Sequence, residues 1–501
     1  MLRSSQMVTL LGVAVQLIGF LRTVMIAAAL GVSLQVDGYN LGLVAPTFLA
    51  TVIGGWLQVG FVGRYAGLVT NGEDELAAAY RSKMLLLVCL CAAFFSLVCF
   101  LLPDRIMGLF IPASQEAMAG LAADALTVAG WMLLPIIVAD FIGLILNSHG
   151  YFFSAAFAPL LNALISVLGL WLWPQIDLQA LIWTLLLGAM AQLAFIVWAL
   201  FRLRLRYAFA SRLADSEVAG TLMLALPILP AIMLANSALA IIQFRASELG
   251  EGAVSVFGYA SRLHFALSQI LVMGLGTVLL PHFASLWARN DKEAIIRLIR
   301  RLVRVGFLVI AVLTAGVVLM GEDAVALLFG RGQFGAREAA AVSDVWIVLS
   351  LGLFPFALGT FIAKLFQAMR HAGAILLSGI ISFAVVLLVT HLGAAAGSIE
   401  IVGGAIAASA FVVTGFWLFW LTFHFPARPV FGDLLCALLL GAPILAAMVL
   451  VEIAVHHYVQ ELPAFVSLIL RGTAFLASGA VAMFVFGLHR WFLAVQPSES
   501  K

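Results

Sequence analysis

Residues 84–102 read MLLLVCLCAAFFSLVCFLL, nineteen positions in a row without a charged side chain. A helix rises about 1.5 Å per residue, so this stretch as a helix is about 29 Å long, which matches the hydrocarbon thickness of a bilayer. Arg81 and Lys83 precede the stretch, and Pro103 follows it. The stretch therefore predicts a membrane-spanning helix.

The composition shows that such stretches dominate the chain. Of its 501 residues 64% are hydrophobic and 10% are charged, and the mean hydropathy is +1.15. Soluble domains have about 45–50% apolar and about 25% charged residues. A soluble enzyme, a nucleic-acid binder and a disulfide scaffold are excluded, and we predict an all-α polytopic membrane protein.

A window of about 19 residues finds fourteen candidate spans, and the connections between them are short. The spans lie near residues 7–31, 38–64, 81–103, 121–147, 152–174, 179–201, 219–245, 253–286, 302–320, 341–369, 373–395, 401–425, 432–453 and 465–488. Because no connection leaves room for a soluble catalytic domain, the function must lie within the membrane or at its surfaces.

The basic residues predict how the chain is oriented. Eighteen of the 26 fall at the termini or in alternate connections: Arg3, Arg64, Arg81, Lys83, Arg202, Arg204, Arg206, Arg212, Arg289, Lys292, Arg297, Arg300, Arg301, Arg304, Arg370, Arg428, Arg490 and Lys501. The other connections hold only Arg105, Arg331 and Arg337. Basic residues favour the cytoplasmic side, so we expect both termini to be cytoplasmic.

Two segments 218 positions apart resemble each other. Residues 65–68 (YAGL) and 72–75 (GEDE) return as residues 283–286 (FASL) and 290–293 (NDKE). Six predicted spans separate the two segments, so both have the same orientation, as in transporters built from parallel repeats. We predict an N-terminal lobe over 1–215, a C-terminal lobe over 216–430 and two additional helices over 431–501.

A few charges remain inside predicted spans, where they cost about 2.5–3.5 kcal/mol on insertion scales. Arg22 lies mid-span, Arg262 lies in the eighth span, and Asp37 opens the second. Guanidinium groups bind phosphate oxygens in pairs. We therefore expect a cationic cavity for a phosphate-bearing substrate. The alternative is that Arg22 pairs with an acid, Asp37 or Asp140, and only holds helices together.

Two further basic residues and the missing motifs complete this interpretation. Lys364 lies mid-span and is a substrate-binding candidate, whereas Arg245 also fits a side chain that reaches toward the interface. The chain has no GxxxxGK[ST] motif for a nucleotide motor. We expect no resident cofactor, with the energy coming from the membrane potential or from a coupling monovalent cation.

Four short motifs carry a family resemblance. They are LLFGRGQF (327–334), FAPLLN (157–162), GFLR (19–22) and GLGTVLLP (274–281). These motifs resemble those of the MurJ/MviN lipid II flippases, and the resemblance extends over essentially the whole chain.

The resemblance implies two six-helix lobes that alternate between inward and outward access. It implies a location in the bacterial inner membrane and a cargo of undecaprenyl-pyrophosphate-linked glycopeptide, moved from the cytoplasmic to the periplasmic leaflet. Membrane lipids and cell-envelope synthesis proteins are the implied partners. By matching position, Arg22, Asp37 and Arg262 correspond to the charges that the family places in its cavity. Nucleic acid is not an expected partner.

This chain also departs from the family pattern. Gln16 stands where the family has a further arginine, and residues 52–58 (VIGGWLQ), which end in Gln58, replace an acidic stretch. We include both glutamines among the candidate substrate-binding residues. The departures leave another polyprenyl-linked saccharide open as cargo. Two further functions stay open: a cation-coupled multidrug exporter of the same superfamily, and a membrane-embedded glycosyltransferase or polymerase that acts on the same lipids.

Overall fold

The computed structural model describes residues 2–203, 216–226, 229–459 and 461–485, and these are almost entirely helical. The helices are α1 Leu2–Leu30, α2 Leu34–Gly60, α3 Val62–Thr70, α4 Asp74–Leu101, α5 Pro103–Phe110, α6 Glu116–Ala129, α7 Leu133–Ser148, α8 Phe152–Leu172, α9 Leu178–Arg202, α10 Ser216–Ala225, α11 Leu229–Ser247, α12 Ala253–Ala288, α13 Lys292–Phe329, α14 Ala336–Leu351, α15 Leu353–Ala368, α16 Ala372–Ala396, α17 Ile399–Thr422, α18 Arg428–Val459 and α19 Ala464–Val485. The all-α prediction is confirmed.

The number of membrane spans is close to the fourteen predicted. In the described part of the chain, 12 helices are long and apolar enough to cross a membrane, and the count is 13 if α14 and α15, which meet at a bend of 40°, are taken together as one span. The predicted span 253–286 coincides with α12, which lies outside this count. Five basic residues used for the topology, Arg204, Arg206, Arg212, Arg490 and Lys501, lie outside the described residues.

The contacts divide the chain into two compact units. Unit 1 comprises residues 1–258 together with 331–334, and unit 2 comprises residues 259–330 and 335–501. The boundary at Gly258 differs from the lobe boundary that we predicted after residue 215. The predicted division follows an internal repeat and the observed one follows packing, so the repeat-based lobes stay a prediction.

The turn after the repeated segment has the same geometry in both units. Gly72 has φ +74° in unit 1, and Asn290, 218 positions later, has φ +55° in unit 2. The next residue donates its backbone N–H to a carbonyl five positions back in both turns, Glu73 to Leu68 at 3.0 Å and Asp291 to Leu286 at 3.1 Å. This left-handed helix ending therefore recurs together with the sequence.

A second pair of turns recurs in the same way. Gly150, two positions after the end of α7, has φ +81°, and Arg370, two positions after the end of α15, has φ +60°. The residue that follows each turn again donates to the carbonyl five positions back, Tyr151 to Leu146 at 2.9 Å and His371 to Phe366 at 3.0 Å. The path of the backbone is thus the same in this second pair of turns, although the sequences of the two turns differ.

In each unit the helix that ends at this second turn is preceded by a break. In unit 1 a 3₁₀ turn, Gly130–Met132, separates α6 from α7, and in unit 2 the break lies at Gly352, between α14 and α15. A Cβ atom on Gly352 would lie 2.6 Å from Cα of Ala407 in α17. Such contacts through small residues are typical of membrane helices. Interrupted membrane helices are also where transporters place their binding sites.

Ion pairs attach the last two helices to α13 within unit 2. Arg471 of α19 donates to Glu452 of α18 at 2.6 Å, and it also forms an ion pair with Asp323 of α13. Toward the other end of these helices Asp433 accepts hydrogen bonds from Arg300 at 2.5 Å and from Arg304. Ion pairs thereby join α18 to α13 at one end directly and at the other through Arg471, and they join α19 to α13 at Arg471.

Candidate functional site

Arg22 lies in the interior of unit 1 and joins three helices. Its side chain in α1 is 5% exposed. It donates to the hydroxyl of Tyr39 in α2 at 2.6 Å and to the carbonyl of Leu181 in α9 at 2.7 Å. The guanidinium also lies 5.4 Å from the centre of the Tyr39 ring. An ion pair of Arg22 with Asp37 or Asp140, which we considered, is not observed among the described residues, and both of these hydrogen-bond acceptors are neutral.

Asp37 is fully buried and serves as the cap of another helix. Its carboxylate accepts the backbone N–H groups of Gly252 at 2.5 Å and Ser255 at 2.7 Å, and it also accepts the Ser255 hydroxyl. These donors lie at the start of α12, where the unpaired N–H groups and the helix dipole favour a negative charge. Asp37 thus fixes the N-terminus of α12 within unit 1.

The reverse contact caps α2. The backbone N–H of Leu34, the first residue of α2, donates to the carboxylate of Glu251 at 3.3 Å. The Ser255 hydroxyl also lies 3.3 Å from the carbonyl oxygen of Ser33, just before α2. Asp37 of α2 therefore caps the start of α12, and Glu251, which lies just before α12, caps the start of α2. Asp37, with three buried hydrogen bonds, contributes more to the attachment of these helices than Glu251, whose one bond is exposed.

The segment 331–334, the second half of the LLFGRGQF motif, packs against the end of α1. The backbone N–H of Gln333 donates to the carbonyl of Ala28 at 2.9 Å. Gly332 has φ +61°, and a Cβ atom there would lie 2.0 Å from the same carbonyl oxygen, so only glycine fits. Phe334 is 2% exposed. The motif therefore covers the C-terminal carbonyls of α1 in unit 1.

The other candidates in unit 1 lie nearer the surface. Arg245 forms an ion pair with Glu248, three positions along, at 2.7 Å, and both side chains are about one-third exposed. Gln16 in α1 and Gln58 in α2 are exposed. The structure therefore brings neither glutamine into the buried contacts of Arg22 and Asp37. The local ion pair agrees with the interfacial interpretation of Arg245.

Arg262 and Lys364 belong to unit 2. Arg262 lies half-buried in α12, two positions before the buried His264. Lys364 is half-buried in α15 and has no hydrogen bond or ion pair among the described residues. Lys364 is thus a positive charge inside a membrane helix without a counter-ion in the described part of the chain, as we would expect of a residue that binds an anion.

A polar network closes the end of α7 in unit 1. Arg81, which is 3% exposed, donates to the hydroxyl of Tyr65 at 2.8 Å, and this hydroxyl lies 2.9 Å from Nε2 of His149. The Tyr65 oxygen accepts from Arg81, and which of Tyr65 and neutral His149 donates in the second hydrogen bond depends on the imidazole tautomer. Burial and the positive charge of Arg81 lower the pKa of His149.

The sequence profile of the family described as "Lipid II flippase MurJ" matches residues 26–472 of this chain. The chain belongs to the MurJ family. A probable lipid II flippase MurJ from Rhizobium meliloti is 27% identical over 425 residues, which cover 80% of this chain and 78% of the relative. Membership of the MurJ family makes the chain a multi-pass protein of the bacterial inner membrane.

Solved structures agree with the MurJ fold. A lipid II flippase MurJ in an inward closed conformation superposes with a TM-score of 0.79 at 17% identity and covers 97% of this chain and 100% of its own. An inward-facing multidrug resistance MATE transporter of the MOP superfamily gives a TM-score of 0.68 and covers 82% of this chain and 94% of its own. At these identities the comparison shows the fold alone, and the MATE transporter is the more distant of the two.

Three members of the site were not predicted from the sequence. Glu251 and Ser255 lie in the connection and first turn of α12, and Tyr39 in α2 has no feature that distinguishes it from other aromatic residues. A signal for Ser255 did exist, because it lies 218 positions after Asp37, at the spacing of the repeat. No comparable signal pointed to Tyr39 or to the Leu181 carbonyl.

Proposed function

We propose that this MurJ-family protein is a flippase that moves lipid II, an undecaprenyl-pyrophosphate-linked saccharide, from the cytoplasmic to the periplasmic leaflet by alternating access. The observation that carries the proposal is the family match over residues 26–472. The fold supports it, since the described chain consists of membrane helices with short connections and has no extended outer domain for catalysis. We therefore assign a transporter rather than a glycosyltransferase or polymerase.

The charged residues divide into two groups in this proposal. Arg22 and Asp37 hold helices, since both are buried and their bonds are directed to the protein. Arg262 and Lys364 are half-buried in membrane helices of unit 2, and we assign the pyrophosphate to them. Guanidinium and ammonium groups both bind phosphate oxygens. Gln16 and Gln58, which are exposed, provide amide groups suited to neutral parts of the head group.

Reconstitution of the full chain in liposomes tests the proposal. Fluorescent lipid II is placed in the outer leaflet, and its movement is followed by its loss of access to a membrane-impermeant reagent. We expect protein-dependent movement. Arg262→Ala and Lys364→Ala should slow it at least tenfold while the thermal unfolding midpoint stays close to the wild-type value. Arg245→Ala, which removes an exposed pair, is the matched control.

Two results would count against this function. Lipid II that stays in its leaflet in the presence of folded wild-type protein would exclude it as cargo, and mass spectrometry of co-purifying lipids would then identify another polyprenyl-linked saccharide if one is bound. Movement of organic cations without binding of lipid phosphates would instead favour the multidrug exporter. Wild-type rates in both unit 2 variants would reject the phosphate assignment alone.

A further inference from the structure

Asp140 is an acidic residue in the middle of an apolar membrane helix. It lies in α7 within residues 136–143, which read IIVADFIG, eight positions before the helix ends at Ser148. At about 1.5 Å per residue, this depth is about 12 Å, which lies inside the hydrocarbon region. Carboxylates at such depth are rare and usually have a partner or face a water-filled cavity.

The structure gives Asp140 no partner in the described residues. Its carboxylate forms neither a hydrogen bond nor an ion pair there. Other deep acids of the chain are engaged: Asp37 caps α12, and Glu452 pairs with Arg471. The side chain of Asp140 is nevertheless accessible, and it lines a cavity of about 380 Å³ between α2 and α7 of unit 1.

Two threonines of α2 line the same cavity. The Thr47 hydroxyl donates its proton to the carbonyl of Leu43 at 2.7 Å, and the Thr51 hydroxyl donates to the carbonyl of Thr47 at 2.8 Å. A hydroxyl has one proton and two acceptor lone pairs. Because each proton is already bonded to the backbone, both oxygens can act only as acceptors toward the cavity.

The rest of the lining is apolar, and among the described residues Asp140 is its only ionisable member. The other lining residues are Pro46, Ala50, Gly54, Gly55, Met132, Leu133 and Ile136. The helices that pack on α7 carry charged residues, among them Asp37 in α2, Arg64 in α3, Arg81 in α4 and Arg202 in α9, but none of these lines the cavity. The local charge is therefore a single negative one.

We propose that the Asp140 cavity binds one monovalent metal cation, with Na⁺ as the ion tested below. A carboxylate and hydroxyl oxygens are hard ligands that suit such a cation, and a single positive charge neutralises the site. A water molecule takes up about 30 Å³ in the liquid, so the cavity has room for an ion and several waters. The proton alone would make no use of the two threonine oxygens.

Binding of the ion is independent of the cargo, but its use to drive lipid movement rests on the function proposed above. The cavity adjoins Met132 and Leu133, at the break that separates α6 from α7. An ion held across α2 and α7 joins two helices that otherwise meet around an unpaired charge. Occupation of the site would thus change the stability of this helix pair, which makes it suited to couple an ion gradient to a conformational change.

The test measures equilibrium binding of ²²Na⁺ to the purified full-length protein in detergent, without lipid II. We expect saturable binding of one ion per chain. Asp140→Asn should weaken it at least tenfold, and Thr47→Val together with Thr51→Val should weaken it severalfold. Asp104→Asn, the same exchange at an exposed position in α5, should leave binding unchanged.

Folding is controlled by the unfolding midpoint of each variant. Asn has the shape of Asp without its charge, so we expect Asp140→Asn to unfold no earlier than the wild type in sodium-free buffer and to gain nothing from added NaCl. Absence of saturable binding to the folded wild type, or equal binding by Asp140→Asn, would reject the site. Binding that disappears on mild acidification but is indifferent to Na⁺ over K⁺ or choline would identify a proton site and also reject it.

A flipping assay with an imposed Na⁺ gradient separates this inference from the proposed function. We expect the gradient to accelerate lipid movement in the wild type and in Asp104→Asn, and to have no effect on Asp140→Asn. Sodium binding without any lipid movement would reject the function but retain the site. Lipid movement with no response to the gradient would reject the coupling.

Discussion

The carboxylate of Asp37 accepts both the backbone N–H and the hydroxyl of Ser255, a residue 218 positions further along the chain. This separation equals the spacing of the repeat predicted from the sequence. In one of the two residues the side chain is an acceptor, and in the other it is a donor. The contact joins the first turns of α2 and α12. Two identical residues at these positions could not form it in the same way, because one side chain must accept and the other must donate.

This contact predicts that Asp37→Asn destabilises the protein more than the size of the change suggests. The carboxylate uses both oxygens for three donors, whereas an amide has a single acceptor oxygen, so a buried N–H loses its partner. Such a loss costs about 1–3 kcal/mol. Thermal unfolding in detergent measures it. Asp177→Asn, at the cap of α9, is the control, because Asn and Asp are equally good caps; equal effects of both exchanges would contradict the prediction.

Arg22→Lys should lower stability despite keeping the charge. The guanidinium reaches Tyr39 and Leu181 with different nitrogens, and a single ammonium cannot reproduce this fork. Hydrogen bonds of charged groups contribute about 1.5–3 kcal/mol each, so we expect a clear fall in the unfolding midpoint. Arg245→Lys, at a one-third-exposed pair, should have little effect. An unchanged midpoint in Arg22→Lys would show that the fork does not hold the three helices.

Glu452→Gln should be among the most destabilising single exchanges in unit 2. Glu452 and Arg471 are both nearly inaccessible, and breaking a buried pair costs about 3–5 kcal/mol when the partner charge is left uncompensated. The half-exposed Asp323 remains as a second partner of Arg471, so we expect a cost toward the lower end of that range. The control is Glu293→Gln, which removes an exposed partner of Arg297 and should cost almost nothing. Unfolding of the two variants side by side decides the matter, and similar midpoints would mean that Asp323 alone is sufficient to pair Arg471.

His149 makes stability depend on pH. Since its folded pKa is lowered by burial and by Arg81, the unfolded chain takes up the proton first, near the ordinary value of about 6.5. Stability should therefore be full above about pH 6.5 and should decrease as the pH falls through the folded pKa. Unfolding midpoints between pH 8 and pH 5 measure this slope.

His149→Gln keeps an acceptor for Tyr65 but cannot titrate, so the decrease should be shallower than in the wild type. His457→Gln, at an exposed position near the end of α18, should keep the wild-type slope. A slope that His149→Gln leaves unchanged would assign the pH dependence to other groups.

The helical spans were predictable because a long apolar stretch such as residues 84–102 is favourable only where lipid surrounds it. The bend between α14 and α15 was less accessible, since the predicted span 341–369 gives no sign that Gly352 packs against Ala407. The span pattern reports on burial in lipid, whereas a bend depends on which helix lies opposite.

The site residues show the same limit. The chemistry of Arg22 suggested a phosphate or an acid as its partner, and the observed partners are a phenol and a backbone carbonyl. Every residue has a backbone carbonyl, so the residue type at position 181 gives no indication that its carbonyl binds Arg22. For Asp37 the residue type was informative, but the partner lies 218 positions away, and only the folded chain brings the two together.

The left-handed turns have a consequence for the stability of unit 2. Unit 1 has glycine at both turns, whereas unit 2 has Asn290 and Arg370 in the same conformation. Asparagine adopts this conformation more readily than other residues with a side chain, whereas for arginine it costs roughly 1–2 kcal/mol. The backbone thus follows the same path in both units, although only unit 1 has glycine at these positions. Unit 2 should therefore tolerate glycine at positions 290 and 370, with the larger gain in stability at 370.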